Sequence, residues 1–171
     1  MKSEPLKAQV AIVGGGYSGT IAAGELARRG ISSLLIEGGG RAGRGVAFST
    51  LEPAHLLNVR AEGMSAWAED PKHFARVFES EGGDARGFAE RRLFGNYLRH
   101  ILDDALATGL VTQVDERAIS ATRTEGRWRI ELASGAIADA AAVVLAAGNQ
   151  PPEPLPFGTS ARFIIYRLSV V

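Results

Sequence analysis

The first forty residues alternate between short apolar runs and a segment of helical composition. Residues 8–13 (AQVAIV) are mostly apolar and end at three consecutive glycines, which predicts a buried parallel strand. Residues 17–29 are rich in Ala, Leu and Glu and precede Gly30, which predicts a helix. Residues 33–37 (SLLIE) predict a second buried strand. A strand, a helix and a strand within this distance predict a right-handed βαβ unit.

The later part of the chain shows a different pattern. Residues 38–66 have no clean hydrophobic period and are expected to form a loop. Helices are predicted over residues 71–81 and 91–108, the second because Leu93, Tyr97, Ile101 and Leu102 share one face. Short strands separated by turn sequences are predicted over residues 110–114, 118–124, 128–132, 136–139 and 142–146.

The composition excludes several classes of protein. With 171 residues the chain can form one domain with its own core, and 19 Lys and Arg balance 19 Asp and Glu, so nothing favours nucleic acid or an anionic membrane as a partner. The absence of cysteine excludes disulfides, a thiolate nucleophile and Cys-ligated metals. No His, Asp and Glu cluster has metal-ligand spacing, so no metal is expected. The start of the chain has no apolar signal core, and we expect a cytoplasmic protein.

Glycines at fixed spacing occupy the junction of the first strand and the first helix. Gly14, Gly16 and Gly19 form the pattern G-x-G-x-x-G in the strand-to-helix context that dinucleotide binding requires. In that context the first glycine makes a tight turn, the second lets a pyrophosphate approach the backbone, and the third lets the helix pack on the strand. The free N–H groups of the helix would then face the phosphates.

An acidic residue at the end of the second strand supports the same interpretation. Glu37 lies 18 residues after Gly19, where a carboxylate can accept hydrogen bonds from ribose hydroxyls. The alternative is a glycine turn that holds no ligand. A P-loop is excluded because the glycines at 38–45 lack the required lysine, and a nucleophile elbow is excluded because its last glycine is misplaced.

Longer sequence blocks carry a more specific resemblance. The blocks are VAIVGGGYSG, GRGVAFST, HLLNVRAEGMSAWAEDPKHF, RRLFGNYLRHIL and VVLAAGNQPP. With them the chain resembles the FAD-binding half of flavoproteins with two dinucleotide-binding domains, and more closely a family of bacterial FAD/NAD(P)-binding proteins. The resemblance implies an α/β Rossmann-like domain with a parallel sheet, a β-meander crossover and a helical insertion at about residues 66–109. Where the superfamily has an Ala-Thr-Gly-like motif, this chain has Ala147 in the middle position.

The resemblance also implies a cofactor and its contacts. FAD would be bound by Gly14, Gly16, Tyr17, Ser18, Gly19 and Glu37, with Ala147 and Gly148 beside it. The function implied is an FAD-dependent oxidoreductase linked to NAD(P)H, acting on an unknown small-molecule substrate. Its catalytic residues and its oligomeric state are not indicated by the sequence.

Two further groups of polar residues keep alternative interpretations open. His55, Asn58 and Arg60 either line the flavin or substrate pocket or tie down a long loop through hydrogen bonds to the backbone. Arg41 and Arg44 follow Glu37 closely. They could meet the 2′-phosphate of NADP, approach the FAD pyrophosphate, or face water.

The end of the chain departs from the resemblance. The domain is expected to cover residues 1–152, followed at 153–171 by a divergent or truncated tail, so an N-terminal fragment is expected. This raises an alternative function, a non-catalytic truncated remnant that serves as a dinucleotide-binding or interaction module. A Rossmann domain that binds only a nicotinamide cofactor is a third candidate, and the predicted meander argues against it.

Overall fold

The computed structural model describes residues 4–148 as one sheet with three helices. The strands are β1 (Leu6–Val13), β2 (Ser33–Ile36), β3 (Val111–Val114), β4 (Ala118–Thr124), β5 (Arg127–Leu132) and β6 (Ile137–Leu145). The helices are α1 (Tyr17–Arg28), α2 (His73–Ser80) and α3 (Arg91–Ala107), with a 3₁₀ turn at Ala61–Gly63. The predicted tail and the predicted boundary at residue 152 lie outside the described residues.

The sheet combines a parallel part with an antiparallel extension. Its strand order is β3-β2-β1-β6-β5-β4. The pairs β2–β3, β1–β2 and β1–β6 are parallel, whereas β5 is antiparallel to both β4 and β6. The predicted α/β class, with a parallel sheet, a meander and a helical insertion, is confirmed.

The last strand corrects one prediction. Residues 136–139 and 142–146 were expected to form separate strands, but β6 runs without interruption from Ile137 to Leu145. The reason is its long parallel pairing with β1, from Leu6 opposite Ala138 to Val13 opposite Leu145. A run of alanines at the centre of β6 looked like a break because it is weakly apolar, yet it contains no residue that interrupts a ladder.

The two faces of the sheet bury different side chains. Because side chains alternate along a strand, the neighbours Ala11 and Ile12 point to opposite faces, and both are fully buried. Ile12 packs in the cluster that α1 and α3 form against the sheet, with Leu102 among its members. Ala11 packs on the other face with Ile130 and Leu132 of the meander. Burial on both faces explains the continuous apolar runs at residues 10–13 of β1 and 34–36 of β2.

The helical insertion has its own aromatic core. Phe94 is fully buried and lies edge-on to Phe74 and Phe48, with ring centroids 4.8 and 4.9 Å away. Tyr97, one turn later on α3, belongs to the same cluster. This core holds the end of the 38–66 loop and α2 against α3, beside the start of α1.

Replacement of Tyr97 with Phe is expected to lower the free energy of unfolding by about 1–3 kcal/mol, the cost of an unsatisfied buried donor. The Tyr97 hydroxyl accepts the buried N–H of Ala66 at 3.1 Å and lies 2.8 Å from Nδ1 of His73. Burial raises the pKa of the Tyr97 phenol, so the hydroxyl stays protonated at neutral pH. Urea unfolding followed by circular dichroism measures the loss.

The matched control is Tyr17→Phe. The Tyr17 hydroxyl donates to the Ser65 carbonyl at 3.3 Å on a residue that is 39% exposed, so water can replace the bond. Equal destabilisation by the two variants would contradict the role assigned to the Tyr97 hydroxyl.

Candidate functional site

The turn between β1 and α1 contains two glycines that the fold itself requires. Gly14 has a φ of +104°, and a Cβ there would stand 2.2 Å from the carbonyl oxygen of Ala146. At Gly19, in the first turn of α1, a Cβ would stand 1.9 Å from the carbonyl oxygen of Gly14. Gly14 therefore allows β1 and the end of β6 to approach, and Gly19 allows α1 to pack against the turn.

Gly16 differs from both of these glycines. Its φ of −72° and ψ of −162° are open to any residue. A Cβ there would meet only the Cα of Gly45, at an ordinary contact distance of 3.6 Å. The described part of the protein therefore gives no internal reason for glycine at this position, whereas close approach of a ligand to the backbone would require it.

The N-terminus of α1 has a positive dipole end that no residue of the helix itself offsets. Gly16 is its N-cap and supplies no capping side chain, and the first turn contains no acidic residue. Within residues 4–148, the backbone N–H groups of Tyr17 and Ser18 donate to no protein acceptor. Such N–H groups at a helix start are suited to bind an anion. The Tyr17 ring packs near Phe48 and Phe94, so this residue offers its backbone N–H rather than its side chain.

Glu37 follows β2 and joins two backbone segments through its carboxylate. One oxygen accepts the N–H of Gly15 at 2.7 Å, and the other accepts the N–H of Gly39 at 2.6 Å. The side chain is half-buried, and a carboxylate has about four acceptor positions, so it can still accept hydroxyl donors. Glu37 thus fixes the glycine turn relative to the loop that follows β2 and keeps acceptor capacity for a ribose.

Replacement of Glu37 with Ala is expected to weaken FAD binding by about 1–3 kcal/mol, the range for charge-assisted hydrogen bonds. Both the ribose acceptor and the bond that holds Gly15 are lost. Fluorescence titration of FAD measures the change, and Glu79→Ala, which removes an exposed carboxylate from α2, is the control. An unchanged affinity in the Glu37 variant would contradict a ribose contact.

The carboxyl end of β6 lies at the same edge of the sheet. The Ala146 N–H donates to the Val13 carbonyl at 2.8 Å, which places Ala147 and Gly148 directly beyond the glycine turn. Both are exposed, and Gly148 has a φ of +68°. The structure therefore brings the glycine turn, Glu37 and the Ala147–Gly148 pair to the carboxyl edge of the parallel strands, where open α/β sheets bind their ligands.

The loop after β2 also contacts the glycine turn, and the sequence analysis did not anticipate this contact. The Gly43 N–H donates to the Gly15 carbonyl at 2.9 Å. A Cβ at Gly45 would stand 2.9 Å from the Cα of Gly16. Gly15 and Gly45 are thus parts of the site that were missed. The repeated glycines of GGGRAGRG were the available indication of close backbone packing.

The other predicted pocket residues lie on the surface. His55, Asn58 and Arg60 are all exposed. The His55 Nδ1 lies 2.7 Å from the Thr50 hydroxyl, and the Arg60 guanidinium donates to the Arg86 carbonyl at 2.9 Å. Of these two contacts, that of Arg60 is a hydrogen bond to the backbone, whereas His55 contacts a side chain and also lines an open cavity of about 410 Å³. Within residues 4–148 no protein hydrogen bond holds the Asn58 side chain.

A separate cavity of about 230 Å³ lies between the C-terminal halves of α1 and α3. The Trp67 ring forms one wall, and a Cβ at Gly24 would stand 2.8 Å from it. The Arg28 guanidinium lies 4.5 Å from the centre of that ring and pairs with Glu69 at 2.5 Å. Because Gly24 and Arg28 are far along α1 from Gly16, this cavity is distinct from the glycine turn.

Metal-ligating clusters and membrane-spanning helices were also sought among residues 4–148. That part of the chain holds no group of three or more His, Asp or Glu side chains able to bind a metal ion. None of its helices has the length and apolar character needed to cross a membrane.

Comparison with known proteins identifies a matching domain family. Residues 11–150 match a family whose description is FAD-NAD(P)-binding. A comparison with curated proteins finds no match. The family match covers the glycine turn, Glu37, the helical insertion, the meander and the end of β6.

Solved structures share the fold at low sequence identity. An oxidized steroid monooxygenase bound to NADP is 22% identical, with a TM-score of 0.66 over 88% of this chain. A cyclohexanone monooxygenase is 16% identical, with a TM-score of 0.68 over 90%. A thioredoxin reductase from Gloeobacter violaceus is 19% identical, with a TM-score of 0.58 over 89%. The chain spans 28% of the length of each monooxygenase and 40% of the reductase.

Proposed function

Because the chain belongs to the FAD-NAD(P)-binding family, we propose that it binds FAD at the glycine turn and acts as an oxidoreductase domain whose flavin is reduced by NAD(P)H. The observation that carries the proposal is the geometry of Gly16. The backbone there is ordinary and the Cβ position is free of close protein contacts, at the start of a helix with no capping side chain. Close approach of a pyrophosphate would explain why this position has no Cβ, whereas no contact within the described fold requires it.

Each residue predicted to bind the cofactor has a role in this proposal. The N–H groups of Tyr17 and Ser18 would bind the pyrophosphate beside Gly16, while Gly14 and Gly19 keep the turn tight enough to present them. Glu37 would accept the ribose hydroxyls. At the end of β6, Ala147 and Gly148 would leave room for the cofactor.

The chain's residues would bind and orient the cofactor rather than perform the redox chemistry. Bound flavin would supply the hydride and electron transfer. Glu37 is a carboxylate at the glycine turn, and its oxygens accept hydrogen bonds from backbone N–H groups. We therefore assign no catalytic residue. The solved structures of similar fold include monooxygenases and a reductase, which supports an oxidation or reduction reaction.

The test is anaerobic mixing of the FAD-loaded chain with NADH and, separately, with NADPH. Loss of the flavin absorbance band faster than for free FAD at the same concentration is expected with at least one of them. Retained flavin that neither nucleotide reduces would contradict the oxidoreductase proposal and support the alternative, a non-catalytic dinucleotide-binding or interaction module. A chain that retains no flavin would contradict the binding proposal itself.

A further inference from the structure

Arg44 occupies a special position beside the glycine turn. It precedes Gly45, whose backbone contacts the Cα of Gly16. Since consecutive Cα atoms are about 3.8 Å apart, the Arg44 backbone lies at the edge of the open space above Gly16. The Arg44 and Gly45 N–H groups both donate to the Arg41 carbonyl, at 3.0 and 2.8 Å, which fixes this tight turn.

The charge of Arg44 is not neutralised by the described protein. Its guanidinium donates to the Asn96 side-chain oxygen on α3 at 2.8 Å. Within residues 4–148 no carboxylate lies within salt-bridge distance of it, whereas two of the three arginines of α3 have such partners, Arg92 with Glu90 and Arg99 with Asp103. The Arg44 side chain is half-buried, and its guanidinium is bonded to a neutral amide rather than to a carboxylate.

Arg41 lies at the other end of the same turn and differs in its surroundings. It is exposed, and its neighbour Ala42 packs near Gly15 and Glu37 rather than near Gly16. A 2′-phosphate would lie by the residue that follows β2, and here that residue is the anionic Glu37. Repulsion between Glu37 and a 2′-phosphate, together with the contact of Gly45 with Gly16, favours the pyrophosphate as the partner of Arg44.

We propose that Arg44 binds the pyrophosphate of the dinucleotide and that Asn96 is its positioning residue. This inference rests on the proposed function. Of the three partners that the sequence left open for Arg44, a 2′-phosphate, the pyrophosphate and water, it selects the pyrophosphate. Arg44 complements the N–H groups at the start of α1 with a full charge, and Asn96 holds the guanidinium in a single orientation before the ligand binds. Preorganisation of this kind reduces the entropy lost on binding.

The test measures the dissociation constants of FAD, NAD⁺ and NADP⁺ for the wild-type chain, Arg44→Gln and the control Arg41→Gln. In the FAD-free chain all three can occupy the glycine turn through their pyrophosphate, and Arg44→Gln is expected to weaken each of them by about 10- to 100-fold, the range for a lost hydrogen bond to a charged group. Arg41→Gln is expected to leave all three unchanged. Circular dichroism confirms that the variants fold.

The role of Asn96 is tested by combining variants. Asn96→Ala is expected to weaken FAD binding in the wild-type background but to have no effect in the Arg44→Gln background, because it acts through Arg44. Equal effects in both backgrounds would contradict the positioning role. Arg44→Lys separates charge from geometry, since it keeps the charge and loses the planar guanidinium. Its affinity is expected to lie between those of the wild type and Arg44→Gln.

Each remaining outcome contradicts a defined part of the inference. Weakened binding of NADP⁺ alone in Arg44→Gln would assign Arg44 to a 2′-phosphate instead. Unchanged binding of all three would show that Arg44 faces water. If the wild-type chain binds none of them, the proposed function fails, and the assignment of Arg44 fails with it.

Discussion

Gly16→Val is expected to abolish FAD binding while the fold is retained. The Gly16 backbone has an ordinary extended conformation, and its Cβ position has no protein atom closer than 3.6 Å. A valine side chain would therefore occupy the space above the turn that the pyrophosphate requires. We expect the affinity for FAD to fall at least about 100-fold, which corresponds to about 2.7 kcal/mol. Fluorescence titration measures the affinity, and circular dichroism measures the fold.

Two further variants make this result specific. Gly16→Ala adds only a Cβ, which the fold accommodates at ordinary contact distance, and is expected to weaken FAD binding as well. Ala121→Val adds bulk at an exposed position on β4, at the far edge of the sheet, and is expected to change nothing. Normal FAD binding by a folded Gly16→Val variant would contradict the assignment of the pyrophosphate to this turn.

Gly19→Val is expected to prevent folding of the domain. A Cβ at Gly19 would stand 1.9 Å from the carbonyl oxygen of Gly14, a backbone atom that cannot rotate away. Relief would require α1 to move off β1, and α1 buries Thr20 and Ala23 completely. We expect a loss of about 3 kcal/mol or more, above the usual range for an overpacked core and a large part of the stability of a small domain.

The control for this substitution is Ala22→Val on the same helix. Ala22 is half-buried, so the variant has the helix-propensity cost of valine without a clash against backbone, about 1 kcal/mol or less. Urea unfolding compares the two variants. If Gly19→Val were no less stable than Ala22→Val, the close packing of α1 on the glycine turn would be wrong.

The sequence was sufficient to predict the elements that depend on local pattern. The strand, glycine turn, helix and second strand of the βαβ unit were predicted within two residues of their observed bounds. The bounds of α3 were predicted within one residue, because its apolar face repeats at helical spacing. The break proposed within β6 was wrong. That strand is held by pairing with β1, which is distant in sequence, and a local hydrophobic pattern contains no information about such pairing.

The loop over residues 38–66 could not be predicted because its conformation depends on distant contacts. Gly43 and Gly95 illustrate this dependence. A Cβ at Gly43 would stand 3.0 Å from the Cα of Arg99, and a Cβ at Gly95 would stand 2.4 Å from the carbonyl oxygen of Phe48. The loop is thus packed between α3 and the glycine turn. Its contacts with α3 join residues that are more than forty positions apart in sequence. For the same reason the Arg44–Asn96 contact could be found only in the structure.

The site shows that the glycines of one motif perform different physical tasks. Gly14 and Gly19 are required by close contacts within the fold, so their replacement is expected to lower the stability of the protein. Gly16 has no such contact, so its replacement is expected to lower the affinity for FAD and to leave the fold intact. The sequence pattern contains all three without distinguishing them, and this difference allows ligand binding to be tested separately from folding.

The most direct test of the central claim is a backbone amide NMR spectrum of the ¹⁵N-labelled 18.1 kDa chain during FAD titration. The structure predicts that the largest shifts fall on the amides of Gly16, Tyr17 and Ser18, with smaller ones at Gly15 and Gly45. Amides near Trp67, by the separate cavity, should remain unchanged. Shifts confined to the Trp67 region, or no shifts at saturating FAD, would contradict the account of this turn as a dinucleotide-binding site.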